Sequence, residues 1–154
     1  MKKMTTTLAM IAMVLGTQAS ALSCLRPDVA NTFRTVAEAE QAYVVLLGQF
    51  EFDAPRRAQG DRFNPSDTTI QSRFNGQSLG ANGFQANLPL DVELVFSCAG
   101  SWCGSLPDTG EEVLAFVERT ANGYVLTVGP CYGNAFVSPD RSDVRRVWLR
   151  IFRI

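Results

Sequence analysis

The four cysteines are the residues whose type and spacing offer the most chemistry in this chain. They are Cys24, Cys98, Cys103 and Cys131 of a 154-residue sequence. Clustered cysteines form disulfides or bind metals. Metal binding is the rival interpretation, but the sequence has no histidine and lacks paired C-x-x-C motifs. The four cysteines therefore predict two structural disulfides and no metal site.

Spacing favours one of the three pairings that four cysteines allow. Four residues separate Cys98 from Cys103, and a tight loop can bring two such residues within bonding distance. This pairing leaves Cys24 for Cys131, which closes a loop of about 100 residues. A different pairing, such as Cys24 with Cys103, is the alternative.

Catalytic chemistry has little support among the other side chains. Without histidine, the chain has no His-dependent triad and no His-ligated zinc. Glu111 and Glu112 are adjacent and would point to opposite faces of a strand. Asp140 and Asp143 are better explained as residues that cap and charge a helix start. We therefore expect a protein that is not an enzyme and that uses no cofactor.

The first 21 residues have the parts of a secretory signal peptide. Lys2 and Lys3 supply the positive start, and an apolar stretch over 8–16 is too short to span a bilayer. Ala19, Ser20 and Ala21 then form a small-x-small cleavage site. The sequence predicts a signal peptide over 1–21 and an exported protein, periplasmic or secreted, from a bacterium.

Two cleavage positions are open, and they differ in the first residue of the mature chain. Cleavage after Ala21 leaves Leu22 first, whereas cleavage after Ser23 leaves Cys24 first. Lipid attachment at Cys24 is a further alternative, but Ala21 stands where lipoprotein sites favour leucine. Residues 22–154 have the size of one domain. No stretch in them reaches membrane-spanning length.

The charge of the mature chain argues against nucleic acid as a partner. Removal of Lys2 and Lys3 leaves 12 basic residues (14 − 2), all arginines, against 15 acidic residues, for a net charge of −3. Nucleic-acid-binding domains carry clustered basic residues that contact phosphates. We therefore expect no nucleic-acid partner.

The elements that position the cysteines are mostly strands. Asp28 can cap a helix over 29–41, and an apolar strand, buried on both faces in its first half, follows over 43–52. Gly48 within it predicts a bulge or bend of the kind that strands need to curl into a small barrel. A polar loop is predicted over 53–67 and a turn-rich connection over 76–88. The remaining predicted strands cover 68–75, 91–96, 112–119 and 123–128, the last two joined by an Asn-Gly turn.

The C-terminal segment predicts a second helix. Ser138 can cap it, Pro139 suits its first position, and the apolar residues recur at helical spacing. These apolar residues are Val144, Val147, Trp148 and Ile151. The predicted helix runs from about Pro139 to about Leu149. A strand over 147–154 is the alternative, because residues there also alternate. Five strands between two helices predict a mainly β fold, either a closed Greek-key barrel or a sandwich.

Several motifs of the chain follow one another in the order of a known family. They are Cys24-Leu25-Arg26-Pro27, Thr32-Phe33, the strand ending Gly48-Gln49-Phe50, Cys103-Gly104, Leu106, Gly110, Val113-Leu114-Ala115-Phe116, Asn122-Gly123, Tyr124 to Val128, and Cys131. Over most of the mature chain this order resembles the inhibitory domain of the tissue inhibitors of metalloproteinases and the related netrin-like modules. The resemblance implies a five-stranded OB-fold Greek-key barrel with a short N-terminal helix and a C-terminal helix.

The resemblance also bears on the disulfides and on mechanism. The third residue of that family is a cysteine bonded to the one that closes this hairpin, which implies Cys24–Cys131. The family's first residue is a second cysteine, but Leu22 stands at that position here, so Cys103 is left with Cys98. The inhibitors place the amine and carbonyl of their first residue on the catalytic zinc. Leu22 would offer such an amine without a disulfide to hold it, which weakens binding through ordering entropy.

Three functions follow as hypotheses: a binding module for a protein partner, a metalloproteinase inhibitor acting through a free N-terminal amine, and a structural cell-envelope protein. Trp102, between two cysteines, is either a binding anchor or a lid over the barrel end. An exposed aromatic patch would favour binding, and a uniformly polar surface a structural role. The candidate partner-binding residues are Leu22, Ser23, Cys24, Trp102, Arg56, Arg57 and Arg62, the arginines for an acidic partner.

Overall fold

Strands are the main regular structure in a computed structural model of the chain, which describes residues 24–25, 27–53, 65–86, 89–107 and 110–151. The predicted signal peptide and most of the predicted 53–67 loop lie outside these residues. Neither helix in the described part is long and apolar enough to cross a membrane. The described elements are α1 (Val29–Ala37), β1 (Ala42–Glu51), β2 (Thr68–Gly80), β3 (Gly83–Ala86), β4 (Leu90–Phe96), β5 (Cys98–Ala99), β6 (Trp102–Cys103), β7 (Val113–Thr120), β8 (Gly123–Val128), β9 (Ala135–Val137) and α2 (Arg141–Ile151).

Five of these strands close into a barrel. They are hydrogen-bonded in the order β1-β2-β4-β8-β7, and β7 pairs again with β1. All neighbours are antiparallel except β4 and β8, which run parallel. This is the strand order of an OB-fold, so the predicted barrel with one helix before it and one after it is confirmed. The short strand β3 pairs with β2, and the short strand β9 pairs with β7. Strands β5 and β6 pair with each other in a separate hairpin.

The strand pattern builds two apolar layers, one inside the barrel and one outside it. Because side chains alternate along β1, Leu46 and Phe50 point into the barrel, and Val45 packs on the other face. The outer layer lies beneath the two helices, where Phe33 of α1 and Val147 of α2 are buried. The prediction that the first half of this strand is buried on both faces is therefore confirmed.

Both helices begin at an aspartate. The Asp28 Oδ1 accepts a hydrogen bond from the backbone N–H of Asn31 (2.8 Å), as its predicted capping role requires. The second helix differs from the prediction at its start. Asp140, and not Ser138, caps it by accepting hydrogen bonds from the N–H groups of Ser142 (2.7 Å) and Asp143 (2.9 Å). The predicted Ser138 cap with Pro139 at the first helical position is therefore wrong.

A pair of glycines explains a second difference from prediction. The sequence predicts a turn-rich connection over 76–88, but β2 runs to Gly80 and forms a hairpin with β3. Gly48 of β1 lies opposite Gly76 of β2, and a Cβ atom on Gly48 would lie 2.7 Å from the Gly76 Cα. Here β1 passes from pairing with β7 to pairing with β2, since Leu46 to Gly48 have partners on both sides. These glycines therefore allow two strands to approach closely where the barrel closes.

Candidate binding surface at the disulfide end of the barrel

The first disulfide closes a short hairpin after β4. Cys98 and Cys103 face each other in the β5–β6 ladder with their Cα atoms 4.0 Å apart and their sulfurs bonded at 2.04 Å. Ala99 pairs with Trp102, so only two residues, Gly100 and Ser101, form the turn of the hairpin. The Asp67 carboxylate accepts a hydrogen bond from the Cys98 backbone N–H (2.8 Å). The hairpin is thus held by a covalent bond and by the residues that precede β2.

The base of this hairpin is fastened to the end of β8. The N–H of Ser97 donates to the Val128 carbonyl (3.0 Å), and the N–H of Gly104 donates to the Ser97 carbonyl (2.9 Å). A Cβ atom on Gly104 would clash with the Val128 carbonyl, so glycine permits this contact. Because β4 and β8 are parallel, both strands end on this side of the barrel.

The second disulfide joins the start of the described chain to the loop after β8. Cys24 and Cys131 are bonded with their Cα atoms 5.3 Å apart. The Thr32 hydroxyl of α1 donates to the Gly133 carbonyl (3.0 Å), which attaches the first helix to the same loop. Both pairings are those that the sequence predicts, and no cysteine of the chain is free. We call the region comprising Cys24, Leu25, residues 98–103 and residues 129–133 the disulfide end.

Three large hydrophobic side chains of the disulfide end face solvent. Leu25 is 89% exposed, Trp102 63% and Tyr132 40%. Of the two alternatives for Trp102, the lid over the barrel end is wrong, because a lid would be buried. Leu106, after the hairpin, is buried in the barrel core instead. Leu25 and Tyr132 are not among the candidates predicted from the sequence, although each directly follows a disulfide-bonded cysteine.

A polar cleft of about 660 Å³ adjoins the disulfide end, between the starts of the two helices. Tyr132 lines it together with a bridging arginine, since the Arg146 guanidinium lies 3.6 Å from Asp28 and 3.8 Å from Asp143. Hydrogen bonds from Ser142 and from the Asp143 N–H hold the pKa of Asp140 below its ordinary value. The carboxylates of Asp28, Asp140 and Asp143 are thus already engaged in helix caps and ion pairs. No cluster of the described residues could hold a metal ion.

The structure brings only part of the predicted site together. Cys24 and Trp102 both lie on the disulfide end. The parallel strands β4 and β8 end on the same side of the barrel, and each disulfide involves a cysteine that follows one of them. The other candidates, Leu22, Ser23, Arg56, Arg57 and Arg62, lie outside the described residues.

Comparisons with known proteins return no relative: no family model, no curated protein sequence and no solved structure matches this chain. The fold assignment therefore rests on strand order. The resemblance to the tissue inhibitors of metalloproteinases and the netrin-like modules stays a prediction from the sequence.

Proposed function

We propose that this protein is an exported, non-enzymatic binding module that contacts a protein partner with its disulfide end. The observation that carries the proposal is the exposure of Trp102, 63%, in a hairpin closed by a disulfide. The tryptophan side chain is large and mostly apolar. When the fold of its own chain leaves it exposed to water, contact with another molecule is what buries it.

The rigidity of the hairpin favours binding. Association costs free energy for every side chain and loop that must be ordered, and a loop already fixed by a covalent bond avoids part of that cost. Tryptophan and tyrosine are also the residues most often found at the centres of binding hot spots. Trp102 on a disulfide-bonded hairpin and Tyr132 next to the second disulfide combine both properties.

The distribution of exposed apolar side chains favours binding over a structural role in the envelope. We expect a structural protein without a partner to have a uniformly polar surface. Leu25, Trp102 and Tyr132 instead share one end of the barrel. The predicted signal peptide and the two disulfides support export, because disulfides persist in oxidising compartments.

Site-specific photo-crosslinking tests this proposal. A photo-reactive amino acid replaces Trp102 in the full-length protein, exported by its own host, and a matched variant carries it at Asn122. Asn122 is also exposed but lies in the β7–β8 turn, at the opposite end of β8 from the disulfides. We expect one discrete protein adduct from position 102 and none from position 122. No adduct at position 102, or equal adducts at both positions, would contradict the proposal.

Inhibition of a metalloproteinase is the second candidate, and the Cys24–Cys131 bond favours it. That bond fixes Cys24 at the exposed disulfide end, so an amine on Leu22 would lie two residues from an anchored position. The test compares inhibition of a zinc endopeptidase by the mature protein with inhibition by the same protein acetylated at its N-terminus. Inhibition that acetylation abolishes supports this function, whereas equal activity of the protease with either form rules it out.

A further inference from the structure

A second concave surface lies away from the disulfide end, between α2 and the β2–β3 hairpin. It is a cavity of about 450 Å³, within the range of small-molecule sites. Its apolar lining comes from three elements: Leu47 of β1, Phe84 of β3, and Val144 and Trp148 of α2. None of its lining residues belongs to the disulfide end, so it is separate from the proposed partner surface.

One face of α2 lines this cavity. Val147 turns towards the outer core and is fully buried. Arg141, Val144, Arg145 and Trp148 instead recur at the spacing of a single helical face, and all four line the cavity. Trp148 is 38% exposed although its side chain is large and apolar.

The β2–β3 turn is shaped to fit the indole of Trp148. Gly83 has a φ of +96°, which suits glycine, and a Cβ atom there would lie 3.0 Å from the Trp148 Nε1. Glycine therefore lets the turn lie against the ring and form one wall of the cavity.

Two arginines give the cavity its charge. Arg141 and Arg145 are one helical turn apart, and neither forms an ion pair with any residue in the described part of the chain. Arg146, by contrast, points to the other side and contacts Asp28 and Asp143. Among the described residues that line the cavity, Glu112 is the only acidic one, so these residues carry a net charge of +1 in a chain whose net charge is −1.

We infer that this cavity binds a single-chain anionic amphiphile, of the chemical class of a medium-chain fatty acid. The apolar lining of Leu47, Phe84 and Trp148 suits an alkyl chain, because each CH₂ group removed from water contributes to binding. The planar guanidinium groups of Arg141 and Arg145 suit a carboxylate, which they can bind through paired hydrogen bonds.

Tryptophan fluorescence gives a direct test, because the chain has two tryptophans. In a Trp102→Phe background, Trp148 is the sole reporter. Titration with dodecanoate should shift its emission to shorter wavelength and saturate at one ligand per protein. Dodecanol, which lacks the charge, should bind at least about tenfold more weakly because it forgoes charge-assisted hydrogen bonds.

Matched variants locate the effect. Arg141→Gln combined with Arg145→Gln should weaken dodecanoate binding at least about tenfold. Arg73→Gln changes another exposed arginine, one that pairs with Asp91 across β2 and β4, and should leave the affinity unchanged. All these arginines are exposed, so the variants are expected to fold, and circular dichroism checks that they do.

Four results would overturn the inference, three of them from the titrations. These three are a titration that does not saturate, equal affinity for dodecanol and dodecanoate, and undiminished binding by the double arginine variant. Cosedimentation with phosphatidylglycerol vesicles in the absence of dodecanoate binding would also overturn it, since it would indicate a face that docks on membranes.

Discussion

Removal of the Cys24–Cys131 disulfide should destabilise the protein much more than removal of the Cys98–Cys103 disulfide. The Cys24–Cys131 bond joins residues 107 positions apart, and the Cys98–Cys103 bond joins residues 5 positions apart. In the chain-entropy model a cross-link stabilises the fold by restricting the unfolded chain, and the effect grows with the logarithm of loop length. These separations give about 4.8 kcal/mol for the long bond and about 2 kcal/mol for the short one at 25 °C.

The assay is urea unfolding of the mature protein without reductant, followed by far-ultraviolet circular dichroism. One variant carries Cys24→Ser with Cys131→Ser, and the other carries Cys98→Ser with Cys103→Ser. The first should lose more than twice as much free energy of unfolding as the second. Since small domains have about 5–15 kcal/mol in total, the first loss is at least about a third of the stability.

The ranking of the two variants decides the outcome. If loss of the Cys98–Cys103 bond costs as much as loss of the Cys24–Cys131 bond, restriction of the unfolded chain does not explain their contributions. The hairpin bond would then stabilise the native barrel directly. Under our account its main role is to order Trp102, so the second variant should stay folded and lose affinity for the partner.

Three further predictions concern the barrel and its helices. Gly48→Ala should cost about 3 kcal/mol in urea unfolding, because its Cβ would meet backbone atoms of β2, whereas Gly80→Ala, with no atom closer than 3.9 Å, should cost far less. The lowered pKa of Asp140 means that its stabilisation is present above about pH 4 and is lost as pH falls through that pKa, so the deficit of Asp140→Ala should shrink in acid unfolding experiments. Burial is the larger cause of the raised pKa of Tyr43, and the charge of Glu118 is the smaller one. Glu118→Gln should therefore remove only part of this increase in pKa, as measured by ultraviolet titration.

The barrel was predictable because its strands obey simple rules of alternation. The strand over 43–52 and the Asn-Gly hairpin appear as β1 and as the β7–β8 turn, and Asp28 caps α1. The extent of β2 was not predictable in the same way. Glycines usually indicate turns, and nothing local to Gly76 shows that it will lie against Gly48 of another strand.

The candidate site was predictable in position but not in exposure. Spacing and strand order place Cys98, Cys103 and Trp102 on one hairpin at a barrel end. Whether Trp102 covers the core or faces solvent depends on which side chain fills the core there, and Leu106 does so. The helix start shows the same limit, because Ser138 and Asp140 both suit a cap and only the path of the chain selects Asp140.

The most direct measurement of the central claim is the affinity of the purified protein that crosslinks at position 102. Its Kd is measured by surface plasmon resonance for the mature protein, for Trp102→Ala and for the control Asn122→Ala. We predict that Trp102→Ala raises the Kd at least about 30-fold, the size of a hot-spot loss, while Asn122→Ala leaves it unchanged. An unchanged Kd for Trp102→Ala would contradict the claim that the disulfide end binds its partner through this tryptophan.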